Sequence, residues 1–231
     1  MSDVLKSIKE DVRYGEALQS CISCGVCTSV CPAAEFYQYS PRNLMLIVQS
    51  NDEQKIEDLL KSDYIWYCGQ CMSCKTRCPR NNVPGTMINV LRKVSQEQGL
   101  FVESRMGRQQ LLVKRGVGEN ILNYGYCIHP DVVKPNVHPE QGPVWEWVFD
   151  NRKEVYDRMG GNLDKDGSGT LRKIDEKTME ELHSIFEVTG GKEFYNKLEN
   201  FAKQKAKNHG IELGCDNVDE FVNLKKKGLF D

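Results

Sequence analysis

The segment CISCGVCTSVCP at Cys21–Pro32 returns with unchanged spacing as CGQCMSCKTRCP at Cys68–Pro79. Both spell C-x-x-C-x-x-C-x-x-x-C-P, the spacing with which thiolates hold a pair of [4Fe–4S] clusters. Three cysteines at intervals of three place their thiolates on the inside of one tight loop. The fourth, held by its proline at the start of the next helix, points away and serves the other cluster. The spacing therefore predicts Cys21, Cys24, Cys27 and Cys78 around one cluster, and Cys68, Cys71, Cys74 and Cys31 around the second. Zinc sites draw four ligands from two CxxC-like pairs, not from a triplet with an outlier. A disulfide framework would leave the triplet spacing unexplained.

The chain has 231 residues, room for one domain with an appendage or for two small ones. Hydrophobic residues make up 39% and charged residues 28%, ordinary for a soluble protein that works within a complex. With a formal charge of −2, no global basic field argues for nucleic acid as a partner. The longest apolar run, Leu44–Val48, is far short of the roughly 20 residues of a membrane helix, so no transmembrane segment is expected. The charged N-terminus lacks the apolar core of a signal peptide. A cytoplasmic location is expected, with membrane association at most peripheral and through partners. Ten cysteines in such a chain read as metal ligands.

Apolar residues Val4, Leu5, Ile8, Val12 and Leu18 predict a helix over Asp3–Ser20, bent or ended at Gly15. In the first loop, Gly25 gives room for backbone to approach inorganic sulfur. Between the loops, Ser40-Pro41 reads as an N-cap with proline at N1, opening a helix through Leu44, Ile47 and Val48. A second helix is expected near Asp52–Leu60. Strand signals are absent, so helices join the loops. Trp66 and Tyr67, just before Cys68, are read as packing that keeps water from the cluster. A helix over Thr86–Gln98 follows, with Gly99 as its stop.

From Leu100 to Pro143 periodicity fades, and an irregular wrapping or partner-binding segment is expected. Its Cys127, His129 and His138 would leave a metal one ligand short; structural histidines and a buried free cysteine are expected instead. Helices are expected over Val144–Met159, Thr178–Val188 with Thr178 as cap, and Glu193–Asn208. Cys215 stands alone and is read as filling space. Asp164, Asp166, Ser168, Thr170 and Asp175 fall on the pattern of a calcium loop. Against calcium stand the short Asp175 at the twelfth position, Gly160-Gly161 before the loop, and the lack of a second copy; a glycine-rich turn is the alternative.

The paired motifs, the Ser40-Pro41-Arg42 helix start and the Trp66-Tyr67-Cys68 approach resemble the C subunit of heterodisulfide reductases, within the alpha-helical ferredoxin superfamily. The resemblance covers roughly Asp3–Gly99. It implies a mainly α fold with an alpha-helical ferredoxin domain at 1–99 that holds two [4Fe–4S] clusters; composition and helical periodicity add an irregular segment at 100–143 and a helical extension at 144–231. It also implies two partners, a flavin- and cluster-bearing A subunit and a B subunit that performs thiol–disulfide chemistry, with electrons passing between them through this chain. The tail beyond Leu100 exceeds the short methanogen form and is more like the heterodisulfide-reductase-like complexes of sulfur oxidisers, in which a lipoate-carrying protein presents the sulfur.

No catalytic triad, activated cysteine or carboxylate pair stands out, so the chain reads as an electron-transfer subunit rather than a catalyst. Lys75, Arg77 and Arg80 surround the second motif, so the two potentials should differ. Two other readings are an iron–sulfur subunit of a quinone-linked dehydrogenase, and a calcium-responsive scaffold with structural clusters. The missing N-terminal [2Fe–2S] domain argues against the succinate dehydrogenase version of the first.

Overall fold

A computed structural model describes residues 3–136, 138–214 and 217–224, all helix, turn or coil with no β-strand among them. Cys215 lies outside the described residues. Two compact units emerge. Among the described residues, the first takes those up to Arg108 together with Asn200–Glu212 and 220–224; the second takes those within Gln109–Glu199 and Leu213–Asp219.

The first unit opens with α1 (Asp3–Glu10) and α2 (Tyr14–Ala17) rather than one helix to Ser20. The break falls at Asp11, not Gly15. The Asp11 carboxylate accepts from Arg13 N at 3.0 Å and Arg13 Nε at 2.8 Å, and from Lys93 Nζ at 3.1 Å. A side chain that bonds its own neighbouring backbone competes with the helical ladder. Val12, expected on the buried stripe, is 96% exposed in consequence. Two single turns, α3 (Val26–Ser29) and α4 (Ala33–Phe36), follow the first loop.

Helix α5 (Pro41–Ser50) begins as its sequence predicts, with Ser40 Oγ accepting from Asn43 N and Pro41 in the first turn. Helix α6 (Glu53–Leu60) is capped by Asp52, which accepts from Lys55 N. At the centre lies α7 (Pro84–Glu97), packed against α1, α2, α5 and α6. Its Met87, Ile88, Val90, Leu91 and Val94 are buried, and Ser95 Oγ donates to Leu60 O at 2.8 Å. Gly99 ends it in the left-handed region (φ 72°), where any side chain would meet the Phe201 ring.

Beyond Gly99 the chain is more helical than expected. Helix α8 (Arg105–Val113) runs through a π-turn at Lys114–Gly118 into α9 (Glu119–Tyr124). Glycines hide this from a propensity reading, yet a Cβ at Gly118 would collide with the Tyr195 hydroxyl. The residue is there for close packing. Within the segment expected to be irregular, chain without α-helix is confined to roughly 125–142. The single helix expected at Val144–Met159 is two, α10 (Pro143–Asp150) and α11 (Arg152–Arg158), separated at Asn151. Helix α12 (Glu176–Val188) is capped by Asp175 rather than Thr178. Then come α13 (Gly191–Lys207), whose C-terminal part belongs to the first unit, and α14 (Val218–Val222).

Candidate metal centre

Each cysteine loop is held by polar side chains from elsewhere in the first unit. Gln49 on α5 brackets Cys21: Cys21 N donates to its Oε1 at 2.6 Å, and its Nε2 donates to Cys21 O at 3.2 Å. Asn82, 2% exposed, accepts from Gln19 N at 2.8 Å and Ser20 N at 3.3 Å, and donates to Ser20 O at 2.9 Å. These bonds tie the chain before the first motif to the chain after the second. At the second loop, Arg92 on α7 donates to the carbonyls of Ile65, Trp66 and Cys68 at 2.8, 3.1 and 2.8 Å. Its guanidinium lies 5.3 Å from the Trp66 ring centroid.

The two loops turn in the same way. Ser23 (φ 59°) and Gly25 (φ 84°) flank Cys24, and Gln70 (φ 58°) and Met72 (φ 58°) flank Cys71, all in the left-handed region. This backbone turns the three thiols of each triplet towards one side. Cys21, Cys24, Cys27 and Cys78 line one cavity, with Arg42, Met45, Arg80, Asn82 and Pro84 among its walls. Cys31, Cys68, Cys71 and Cys74 line a second, with Tyr39, Pro41, Ile88 and again Pro84. The four residues at each cavity are the sets read from the spacing. Every described cysteine is free. The middle thiol of each triplet, Cys24 or Cys71, is exposed, while the others are partly or fully buried.

Burial pushes the Cys27, Cys68 and Cys74 thiols up, whereas the Ser73 hydroxyl beside Cys71 pulls that thiol down. Buried thiols must lose protons to bind metal, so uptake releases protons and is favoured by rising pH. The surroundings fit an anionic sulfur-rich group. Arg42 Nε and Tyr39 Oη, on the walls of the first and second cavities, are buried donors with no partner. Sulfur acceptors inside the cavities would satisfy them. Among the described residues, no three Cys, His, Asp or Glu side chains are grouped to hold a single metal ion. A triplet with a fourth thiol from the other motif at each cavity suits a polynuclear cluster better than one zinc ion.

The aromatic residues before Cys68 join a larger group. Trp66 is buried, and Tyr67 stacks on Tyr37 with centroids 4.2 Å apart and planes 6° apart. Tyr39, 3% exposed, packs edge-on to Tyr67 and tilted against Tyr64. Tyr64 Oη in turn accepts from Ser40 N at 2.6 Å and donates to Ser40 O at 3.0 Å, fixing the start of α5. Sequence reasoning missed Tyr39, Arg42, Gln49, Asn82 and Arg92. Only Arg42 carried a hint, standing beside the Ser40-Pro41 cap.

In the second unit the calcium-like residues are engaged elsewhere. Asp175 caps α12, accepting from Thr178 N at 2.9 Å and Thr178 Oγ1 at 2.7 Å. Asp164 Oδ1 lies 3.1 Å from His129 Nε2, and Thr170 O accepts from Asn162 N. Asp166 O accepts from Asn162 Nδ2 at 2.7 Å. Ser168, on the same turn, brings no carboxylate. His129 is buried, stacked on Tyr124 with centroids 4.1 Å apart, and its Nδ1 accepts from Asp131 N. That bond leaves the proton on Nε2, aimed at Asp164. His138 pairs with Glu140 at 2.8 Å. Cys127, expected to be buried, is exposed.

Residues 17–82, the span holding both motifs, match the 4Fe-4S dicluster domain family. The C subunit of the ferredoxin:CoB-CoM heterodisulfide reductase of Methanosarcina acetivorans is 31% identical over 230 residues, covering 98% of this chain and 84% of its own. The chain belongs to the family of heterodisulfide reductase C subunits. An iron-sulfur C subunit of the CoB–CoM heterodisulfide reductase of Methanocaldococcus jannaschii is 29% identical over 54% of this chain and 55% of its own. A second Methanosarcina acetivorans protein, the C subunit of a ferredoxin/F(420)H(2)-dependent CoB-CoM heterodisulfide reductase, is 29% identical over 63% of this chain and 82% of its own. Family and fold together make the chain an iron–sulfur electron-transfer subunit with an alpha-helical ferredoxin domain. The match over 98% of the chain also takes in the tail. A tail beyond Leu100 therefore does not set this chain apart from methanogen members. No helix among the described residues is long and apolar enough to cross a membrane.

Proposed function

We propose that the chain relays single electrons through two [4Fe–4S] clusters between two partners, one flavin-bearing and like the A subunit, the other a thiol–disulfide catalyst like the B subunit. Cys21, Cys24, Cys27 and Cys78 hold the first cluster, and Cys31, Cys68, Cys71 and Cys74 the second. When bound, each cluster supplies one-electron redox chemistry at iron. The chain's own residues supply the rest. Gln49, Asn82 and Arg92 fix the loops, the tyrosine group and Trp66 exclude water, and Arg42 and Tyr39 present donors to sulfur. Opening a disulfide to two thiols consumes two electrons and two protons. A relay of this kind delivers those electrons one at a time, and the protons are taken up at the thiol–disulfide partner.

One observation carries this reading. The two four-cysteine cavities share Pro84 as a wall, and at each the middle cysteine of the triplet, Cys24 or Cys71, is the most exposed. Two centres joined inside and separately accessible outside are what a wire between two partners needs. The family names refer to a CoB–CoM heterodisulfide as substrate of the whole complex, and that class of disulfide is the one proposed here. A sulfur-oxidising role with a lipoate protein drew on the length of the tail, which does not favour it over the methanogen type.

Anaerobic iron and sulfide analysis with a reductive titration followed by EPR tests the reading. About eight iron and eight sulfide per chain are expected, with two interacting signals on reduction. Cys31→Ser is expected to alter the signal that Cys71→Ser alters, and Cys78→Ser the one that Cys24→Ser alters. Zinc without sulfide, or the opposite pairing of signals, overturns the assignment.

A further inference from the structure

The two cavities differ in charge. Arg42 and Arg80 line the first; no charged side chain lines the second, where Tyr39, Pro41, Ala33 and Ile88 stand between the cysteines. Arg80 is exposed, so water and salt screen it. Arg42 is not in that position. Its Nε is buried without a partner, and its Nη1 would lie 3.7 Å from a Cβ built at Gly25, in the turn around Cys24. Burying a guanidinium nitrogen with no acceptor is unfavourable unless something anionic faces it. Four thiolates and bridging sulfides in the first cavity would be that anion.

The cations nearer the second loop do not play the same part. Arg92 stands behind Cys68, and its positive charge pulls that thiol down against the burial that raises it. Its donors are committed to three backbone carbonyls and it lies off the cavity wall, so it gives the second site charge at a distance and no direct hydrogen bond. Lys75 lies 3.6 Å from Glu16, and Arg77 donates to Ser73 O at 3.3 Å; both are exposed. The matching unpartnered donor at the second cavity is the neutral Tyr39 hydroxyl. Reduction adds negative charge, and a charged donor stabilises added negative charge more than a neutral one.

We infer that Arg42 sets the order of reduction: its guanidinium raises the midpoint potential at the first site above that at the second, where Tyr39 is the weaker counterpart. This deepens the two-cluster relay and rests on it. The electron offered to the chain comes to rest on the side of Cys21, Cys24, Cys27 and Cys78. The expected size is that of one charge-assisted hydrogen bond. It amounts to about a tenfold change in the ratio of reduced to oxidised first site at a fixed ambient potential, or about 59 mV for a one-electron couple.

The test is a redox titration of the full chain by EPR, with iron and sulfide content measured on every sample. Full iron and sulfide in the unaltered protein establish the two-cluster reading separately from the potentials. Arg42→Gln is expected to lower the higher midpoint by about 59 mV and leave the lower one in place. Tyr39→Phe is expected to move only the lower midpoint, and by less. Arg80→Gln, an exposed charge on the same wall, is expected to move neither by as much as Arg42→Gln. Fully loaded Arg42→Gln protein with both midpoints unmoved overturns the inference, as does a shift confined to the lower midpoint. Should Arg42→Gln fail to load, ¹⁵N-arginine in the unaltered chain carries the test. Pulsed EPR should then detect ¹⁵N coupling to the site reduced first, and its absence there overturns the inference equally.

Discussion

Asn82 holds two distant pieces of chain together with one carboxamide, bonded to Gln19 N, Ser20 N and Ser20 O. Replacing it with alanine removes these bonds from part-buried backbone groups, at a cost of about 1 kcal/mol. Asn82→Ala is expected to lower the urea midpoint and to speed loss of iron from the first site more than from the second. Equal loss from both sites would show that the carboxamide supports the unit generally, not the Cys21 loop. The cysteine sets were legible because their positions follow from spacing within a dozen residues. Asn82, Gln49 and Arg92 were not, because their partners lie 62, 28 and 24 residues away in the chain. Gly25 illustrates a subtler limit. Its left-handed turn suits glycine, yet Met72 adopts the same turn at the equivalent place, so the loop does not demand glycine there.

Among the elements, those with a local signature were the most legible. Ser40-Pro41 starts α5 where its side-chain cap predicts, and the buried faces of α7 and α13 follow the apolar period. The π-turn at Lys114–Gly118 had no such signature. It is held by a cluster: Lys114 Nζ lies 3.3 Å from Glu199 and 2.5 Å from Glu119, and Arg115 bonds both Glu199 oxygens. Burial alone would raise the Glu199 carboxyl, but hydrogen bonding and charge from Arg115 and Lys114 overcome it and lower the group from 4.5 to about 2. A depressed folded value means stability that is fully present above the unfolded value and lost as pH falls through the folded one. Over this window, from 4.5 down to about 2, the loss is roughly 3 kcal/mol. Glu199→Gln is expected to be less stable than the unaltered protein at pH 7, with the difference shrinking towards pH 2. Acid loss of iron affects both proteins alike, so urea denaturation compared pH by pH isolates Glu199. A difference that stays constant with pH would mean the carboxylate does not hold the turn by its charge.

At the level of the whole molecule, all eight motif cysteines belong to the first unit, and the second contains only the exposed Cys127 among its described cysteines. A three-part division was read from composition because glycine and basic residues mask the helices after Gly99. The grouping into two compact units could not be read that way, since α13 serves one unit with its first half and the other with its second. Removal of iron by an anaerobic chelator and oxidant should therefore be felt unequally. Without sulfur ligation, nothing compensates the left-handed backbone of the loops, which costs about 1–2 kcal/mol for each non-glycine residue. The second loop has two such residues, Gln70 and Met72, and the first has one, Ser23. The first loop is also pinned by Gln49 and Asn82. Hydrogen exchange after iron removal is expected to rise most at 67–83, less at 19–31, and little at 109–199. Equal acceleration of the two loops would remove backbone strain from the account of the metal centre. Loss of protection across 109–199 would show instead that the second unit owes its fold to the clusters, despite contributing none of the motif cysteines.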